Sequence, residues 1–155
     1  MKRKGSPPPT APRCDPAADE PALAALVEAA RAVRGQAHAP YSRFAVGAAV
    51  RDEQGRIHAG ANVENAAYPQ GLCAEASAIA VMVAAGGRRI TAAAVVSGGA
   101  DPATPCGGCR QKLREFAAPG TLIVIADLHR ERARFTLGQL LPHSFGPGHL
   151  AGAER

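Results

Sequence analysis

Tryptophan is absent from this chain, and only two tyrosines and four phenylalanines occur among its 155 residues. A core without large rings has to be assembled from small side chains packed closely, here chiefly alanine. So few rings also leave no base-stacking platform of the kind that single-strand binders use, which argues against a nucleic-acid partner. No apolar stretch is long enough to cross a bilayer, and no apolar run follows Met1-Lys2-Arg3-Lys4 to act as an export signal. The expectation is a cytoplasmic protein with no membrane partner. Charged residues are sparse at 20% against 46% hydrophobic ones, which at this length fits one globular domain around a single core.

The net charge of +5 matters only if it is concentrated. Up to residue 20, Lys2, Arg3, Lys4 and Arg13 are nearly balanced by Asp15, Asp19 and Glu20. The rest is spread over the body, and Arg88-Arg89 and the arginines between 130 and 134 read as solvated surface. Residues 1–18 contain Pro7, Pro8, Pro9, Pro12 and Pro16 beside Gly5 and Ser6. Such a segment buries too little apolar area to offset its ordering and reads as a disordered tail, with Cys14 as a solvated thiol. Residues 19–150 form the expected domain, and 151–155 a frayed end.

What the chain does have is a concentrated group of soft ligands. Cys73-Ala74-Glu75 is answered further along by Pro105-Cys106-Gly107-Gly108-Cys109. The two-residue gap between Cys106 and Cys109 lets two thiolates at one helix start face the same ion, and Cys73 can add a third from a second helix start. Three protein ligands and one open tetrahedral position form the catalytic zinc arrangement, whereas structural sites usually close with four. Glu75 lies too close to Cys73 in the chain for an ordinary distant ligand and is placed to take a proton from water at the open position. Thiols in ligand spacing also favour a reduced compartment over disulfides. The spacing is that of zinc deaminases acting on cytosine or adenine rings.

At these residues the chain resembles the cytidine deaminase family, of the small homotetrameric type. Tyr41-Ser42-Arg43-Phe44-Ala45-Val46-Gly47-Ala48 resembles its substrate-stacking strand, and Asn62-Val63-Glu64-Asn65-Ala66-Ala67-Tyr68-Pro69 its ribose-binding segment. Pro105 to Gln111 matches its second zinc motif, and Leu140 to Pro147 its closing segment. The likeness runs from about Pro40 to Leu150. It implies a three-layer α/β/α sandwich with a mixed sheet of about five strands, and one Zn²⁺ per subunit held by Cys73, Cys106 and Cys109. It implies Glu75 as the proton shuttle, Phe44 stacked on the base and main-chain groups around Ala74 reading the ring edge. Asn62 and Glu64 would hold the ribose hydroxyls, while Tyr68 and Phe145 complete a neighbouring subunit's pocket in a homotetramer with shared active sites. The implied reaction is hydrolytic deamination of cytidine and 2'-deoxycytidine in pyrimidine salvage. The family often has an arginine directly after the glutamate; here Ala76 stands there, and either Arg110 or the helix dipoles alone are expected to offset the thiolate charge.

Local patterns agree with that order. Glu20-Pro21 opens a helix whose Leu23, Leu26, Val27, Ala30 and Val33 share one face, ended by Gly35. Phe44 to Val50 alternates, a turn falls at Glu53 to Arg56, and Ile57 to Val63 returns as a hairpin strand. With the turn centred on Gln54, Phe44 lies opposite Glu64, with Asn62 two residues away on the same face. Helices are expected from Cys73 to Ala85 and from Pro105 to a break at Pro119-Gly120, and buried strands at 90–97 and 121–126. The stretch 128–135 reads as a loop with an edge strand, and 136–141 as a short helix. Strand–strand–helix–strand–helix–strand behind a first helix implies a mixed α/β sandwich. Competing readings are a deaminase of a modified cytosine nucleoside such as an antibiotic, a polynucleotide editor, and a structural zinc module; the last would need a fourth ligand that the motifs do not supply.

Overall fold

A computed structural model describes residues 20–99 and 101–150; the expected tail, Cys14 and residues 151–155 lie outside the described residues. Among the described residues, five strands and four α-helices follow one another as α1 (Glu20–Arg34), β1 (Val46–Asp52), β2 (Ile57–Ala61), α2 (Ala74–Ala84), β3 (Ile90–Ser97), α3 (Gly107–Phe116), β4 (Ala117–Ala126), β5 (Glu131–Thr136) and α4 (Leu137–Leu140). The sheet order is β2-β1-β3-β4-β5. Only β3 and β4 pair in parallel, with α3 as their crossover; the other neighbours are antiparallel, so the sheet is mixed, as expected.

Strand alternation divides the core in two. Ala48, Val50, Ala93, Val95, Ile123 and Ile125 face one way and pack with Ile79, Met82, Leu113, Leu137 and Leu140 of the later helices. Ala49, Ala92, Ala94, Val96, Val124 and Ala126 face the other way onto Leu23, Leu26, Val27 and Ala30 of α1. One helix on one face and three on the other make the three expected layers. The small residues permit close approach: a Cβ at Gly47 would lie 2.0 Å from Ala30 O, so α1 sits directly on β1 there.

The hairpin holds the expected register, with Gly47 opposite Ala61 and Ala48 opposite Gly60, but it is shorter than expected: Phe44 and Glu64 lie beyond the ladder, and Glu64 N donates to His38 O instead. Asp52, buried at its tip, accepts hydrogen bonds from the Gln54 and Arg56 amides, Arg56 Nε and the His58 ring. Their combined pull outweighs burial and holds its carboxyl well below the ordinary carboxylate range. At Pro119-Gly120 the chain does something else than expected. The helix stops earlier, at Phe116, and Pro119-Gly120 lies inside β4, where the pairing with β3 jumps from Ala117 to Leu122. Proline has no amide for the ladder, so this stretch bulges outward and pairing resumes beyond it. The stretch 128–135 resolves into a turn at Asp127 to Arg130 and the edge strand β5. Its Arg134 pairs with Glu20 and Glu131, and Arg132 with Asp127.

Candidate active site and metal centre

Strands β2 and β3 both end at the edge where β1 begins, and α2 and α3 both start there. Cys73 is the N-cap of α2 and Cys106 the N-cap of α3; both have extended backbone, and neither side chain caps its helix. Both sulfurs thus sit at helix starts, where first-turn amides such as that of Cys109, which donates to Cys106, can face the cluster. The Sγ atoms of Cys73, Cys106 and Cys109 all lie within 4.8 Å of one another, and those of Cys73 and Cys106 are 4.0 Å apart. Tetrahedral zinc with bonds of about 2.3 Å needs sulfurs about 3.8 Å apart, so the three fit one ion with little movement. Among the described residues no fourth His, Cys, Asp or Glu joins the group.

Without an ion, one site cannot hold three thiolates. Burial, with the Glu75 and Cys73 charges adding to it, pushes the Cys109 thiol far up. Burial also raises Cys73. Burial opposes ionisation of Cys106 as well, but hydrogen bonds from the Cys109 amide and from the Cys109 and Cys73 thiols hold it below its ordinary value. Metal uptake must therefore expel protons. Glu75, in the first turn of α2 and 6% exposed, accepts a hydrogen bond from Cys109 Sγ at 3.3 Å. With a metal held by Cys73, Cys106 and Cys109, that thiol would lose its proton and the Glu75 oxygen would be freed for another donor.

A cleft of about 340 Å³ opens over these groups, and Phe44, Asn62, Glu64, Cys73, Ala74, Glu75 and Cys106 all line it. Seven of the eleven predicted site residues thus meet in one place. The hairpin ladder ends at Val46 and Asn62, where the Asn62 amide takes over: its Oδ1 accepts from Val46 N at 2.8 Å and its Nδ2 donates to Phe44 O at 3.0 Å. Phe44 then turns outward, 44% exposed and open to a planar ring. Arg43 just before it has φ 59, a left-handed turn that folds the preceding amides back. Glu64 Oε2 accepts from Tyr41 N at 2.9 Å and Ser42 N at 3.2 Å, and Oε1 from the Ser42 hydroxyl. Those bonds, Ser42 first, keep Glu64 below its ordinary pKa, and the residue lines the cleft.

Cys109 is fully buried beneath the cleft. Tyr68 and Phe145 stand away from it. Tyr68 meets Tyr41 edge-on at 5.7 Å in a neighbouring depression that shares Ser42 and Glu64 with the cleft. Phe145 stacks on His149 at 5.0 Å. Arg110 departs from expectation. Its guanidinium donates to Pro105 O at 2.7 Å, Leu140 O at 2.8 Å and Thr104 Oγ1 at 2.9 Å, and to no sulfur. The side chain curls back toward the start of its own helix, where carbonyls outcompete partly buried thiols as acceptors. Offsetting the thiolate charge by direct contact is thus left to main-chain amides. Sequence reasoning assigned no role to Ser42, Val46, Val95, Ala103 and Thr104, which also line the cleft. None carries a spacing signal, and only Ser42 and Val46 fall in a motif.

Residues 22–125 match the family model described as the cytidine and deoxycytidylate deaminase zinc-binding region. A cytidine deaminase of Mycobacterium tuberculosis is 45% identical over 119 residues, 77% of this chain and 86% of that protein. One from Sporosarcina psychrophila is 38% identical over 128 residues, 83% of this chain and 94% of the other. Among solved structures, the cytidine deaminase of Burkholderia pseudomallei superposes with a TM-score of 0.75 at 42% identity, covering 79% of this chain and 98% of its own.

Proposed function

Because this chain belongs to the cytidine and deoxycytidylate deaminase family, we infer that it is a zinc-dependent hydrolase converting cytidine and 2'-deoxycytidine to uridine and 2'-deoxyuridine. The observation that carries this is the floor of the cleft: three sulfurs spaced for one ion, no fourth ligand beside them among the described residues, and a buried carboxylate in contact. When bound, zinc supplies the Lewis acidity that makes hydroxide available near neutral pH. Everything else falls to the protein. Glu75 takes a proton from the attacking water and delivers it to ring N3 as C4 becomes tetrahedral. It then takes the proton of the new C4 hydroxyl and carries it to the amine; the C4–N bond breaks, ammonia leaves, the C4 carbonyl forms and N3 keeps its proton. Phe44 stacks on the ring, the main chain around Ala74 reads its edge, and Asn62 and Glu64 hold the ribose. Support for the ribose role is that both side chains are pre-set by hydrogen bonds and line the cleft.

The same reading has the enzyme act as a homotetramer in pyrimidine salvage in the cytoplasm, with Tyr68 and Phe145 each facing a neighbouring copy's cleft. Their exposure of 74% and 57%, unusual for aromatic rings, supports that assignment. The test is loss of cytidine absorbance with and without a zinc chelator, run beside deoxycytidine, a modified cytosine nucleoside and a cytosine-containing oligonucleotide. Chelator-sensitive turnover of the free nucleosides is expected. Turnover confined to the oligonucleotide, or unaffected by zinc removal, contradicts the assignment.

A further inference from the structure

Among the described residues, one wall of the cleft, at positions 101–105, is held from outside itself. The segment from Gly98 to Pro105 joins β3 to the metal helix and presents Ala103 and Thr104 to the cleft. It carries two prolines without amides, Pro102 and Pro105. Among the described residues, the hydrogen bonds made to positions 101–105 are those to Pro105 O and Thr104 Oγ1, and both come from Arg110. The third arm of the same guanidinium reaches Leu140 O in the last turn of α4, a carbonyl that a helix end leaves without a partner. One planar cation thus ties the wall of the cleft to its own helix and to α4. It follows Cys109 in the chain, yet its three hydrogen bonds all go to oxygen.

Building on the deaminase reading, we propose that Arg110 is a positioning residue that fixes the Ala103–Thr104 wall against the substrate. Its role is mechanical: three acceptors in three directions need the forked guanidinium, and an ammonium on a flexible stem reaches one or two of them. Charge compensation for the thiolates predicts a different pattern, because lysine then substitutes well.

The experiment compares full-length zinc-loaded wild type, Arg110→Lys and Arg110→Ala, reading KM and kcat for cytidine, zinc retention against a chelator, and NMR order parameters of Ala103 and Thr104. Both variants are expected to raise KM about tenfold, a loss equal to one charged hydrogen bond. In both, kcat and zinc retention stay within about threefold, and the wall's order parameters fall from about 0.85 to below about 0.6. A lysine variant with wild-type KM and a rigid wall, beside an alanine variant that sheds zinc, overturns the proposal in favour of charge. Unchanged KM and order in both also overturns it. Should the alanine variant fail to fold, Thr104→Val removes one acceptor alone; its effect on KM is expected to be non-additive with Arg110→Lys, and full additivity refutes the brace. If wild type does not turn over cytidine, the substrate assignment fails, while the order parameters still decide whether Arg110 holds the wall.

Discussion

The two helices that deliver the sulfurs are anchored at their starts in opposite ways. The start of α2 is fixed by packing and backbone pairing. Val63 and Leu72 exchange two hydrogen bonds of 2.9 and 2.8 Å just before it, Ser77 Oγ donates to Ala61 O, and the helix lies so close on β2 that a Cβ at Gly60 would fall 2.4 Å from Ala78 N. The start of α3 has no such pairing among the described residues and depends on Arg110 reaching back from inside the helix. The floor with Cys73, Ala74 and Glu75 is thus part of the core, whereas the wall before Cys106 is held by side-chain chemistry. The carboxylate of Glu75 is therefore set by the core, and positions 103–105 by one side chain.

The largest effect is expected from Glu75→Gln, which keeps the floor's shape and removes its proton acceptor. Turnover should drop by about 10²–10⁴-fold with zinc still bound; near-normal turnover would reject the shuttle. Removing a ligand tests the contrast between the helix starts directly. Cys106→Ala should lose zinc and stability together, because metal binding and folding are coupled. Its amides at the start of α3 should exchange faster, while those of α2, held by packing, stay protected. Equal loosening of both starts would mean that the ion, not the core, holds α2 in place.

Gly60→Ala comes next. The added methyl must push α2 off β2, at a cost of about 1–3 kcal/mol visible in thermal unfolding, and should weaken zinc binding through Cys73. The mildest perturbation, which changes no residue, is one of pH. Thiols whose pKa is raised in the metal-free fold must lose their protons to bind zinc, so affinity should rise with pH and fall as pH drops, by up to about tenfold per unit for each proton expelled. The same sign makes the metal-free protein lose stability as pH rises beyond the ordinary thiol value, because half-buried Cys73 and buried Cys109 favour the protonated form. Metal titrations at several pH values, with proton release followed in weak buffer, check both.

Much of this was legible in the chain. Alternation from Phe44 to Val50 and the turn at Gln54 lead to the observed register and hence to Phe44, Asn62 and Glu64 at one edge, because period-two patterning allows no one-residue slip. The thiol spacing led to the metal group for a similar reason, since helix starts direct neighbouring side chains predictably. Three features were hidden. Proline and glycine at 119–120 look alike whether they end a helix or bulge a strand, and only pairing with β3 decides. Arg110 has several acceptors within reach of a long side chain, and chain distance does not rank them. Ser42 owes its part to the left-handed turn at Arg43, a conformation that residue type does not announce.

The most direct test of the account is zinc K-edge X-ray absorption on the metal-loaded protein. Three sulfur neighbours at about 2.3 Å and one lighter atom that exchanges with solvent or inhibitor are expected. Four protein ligands, or fewer than three sulfurs on the ion, would contradict the open three-thiolate centre from which the chemistry is derived.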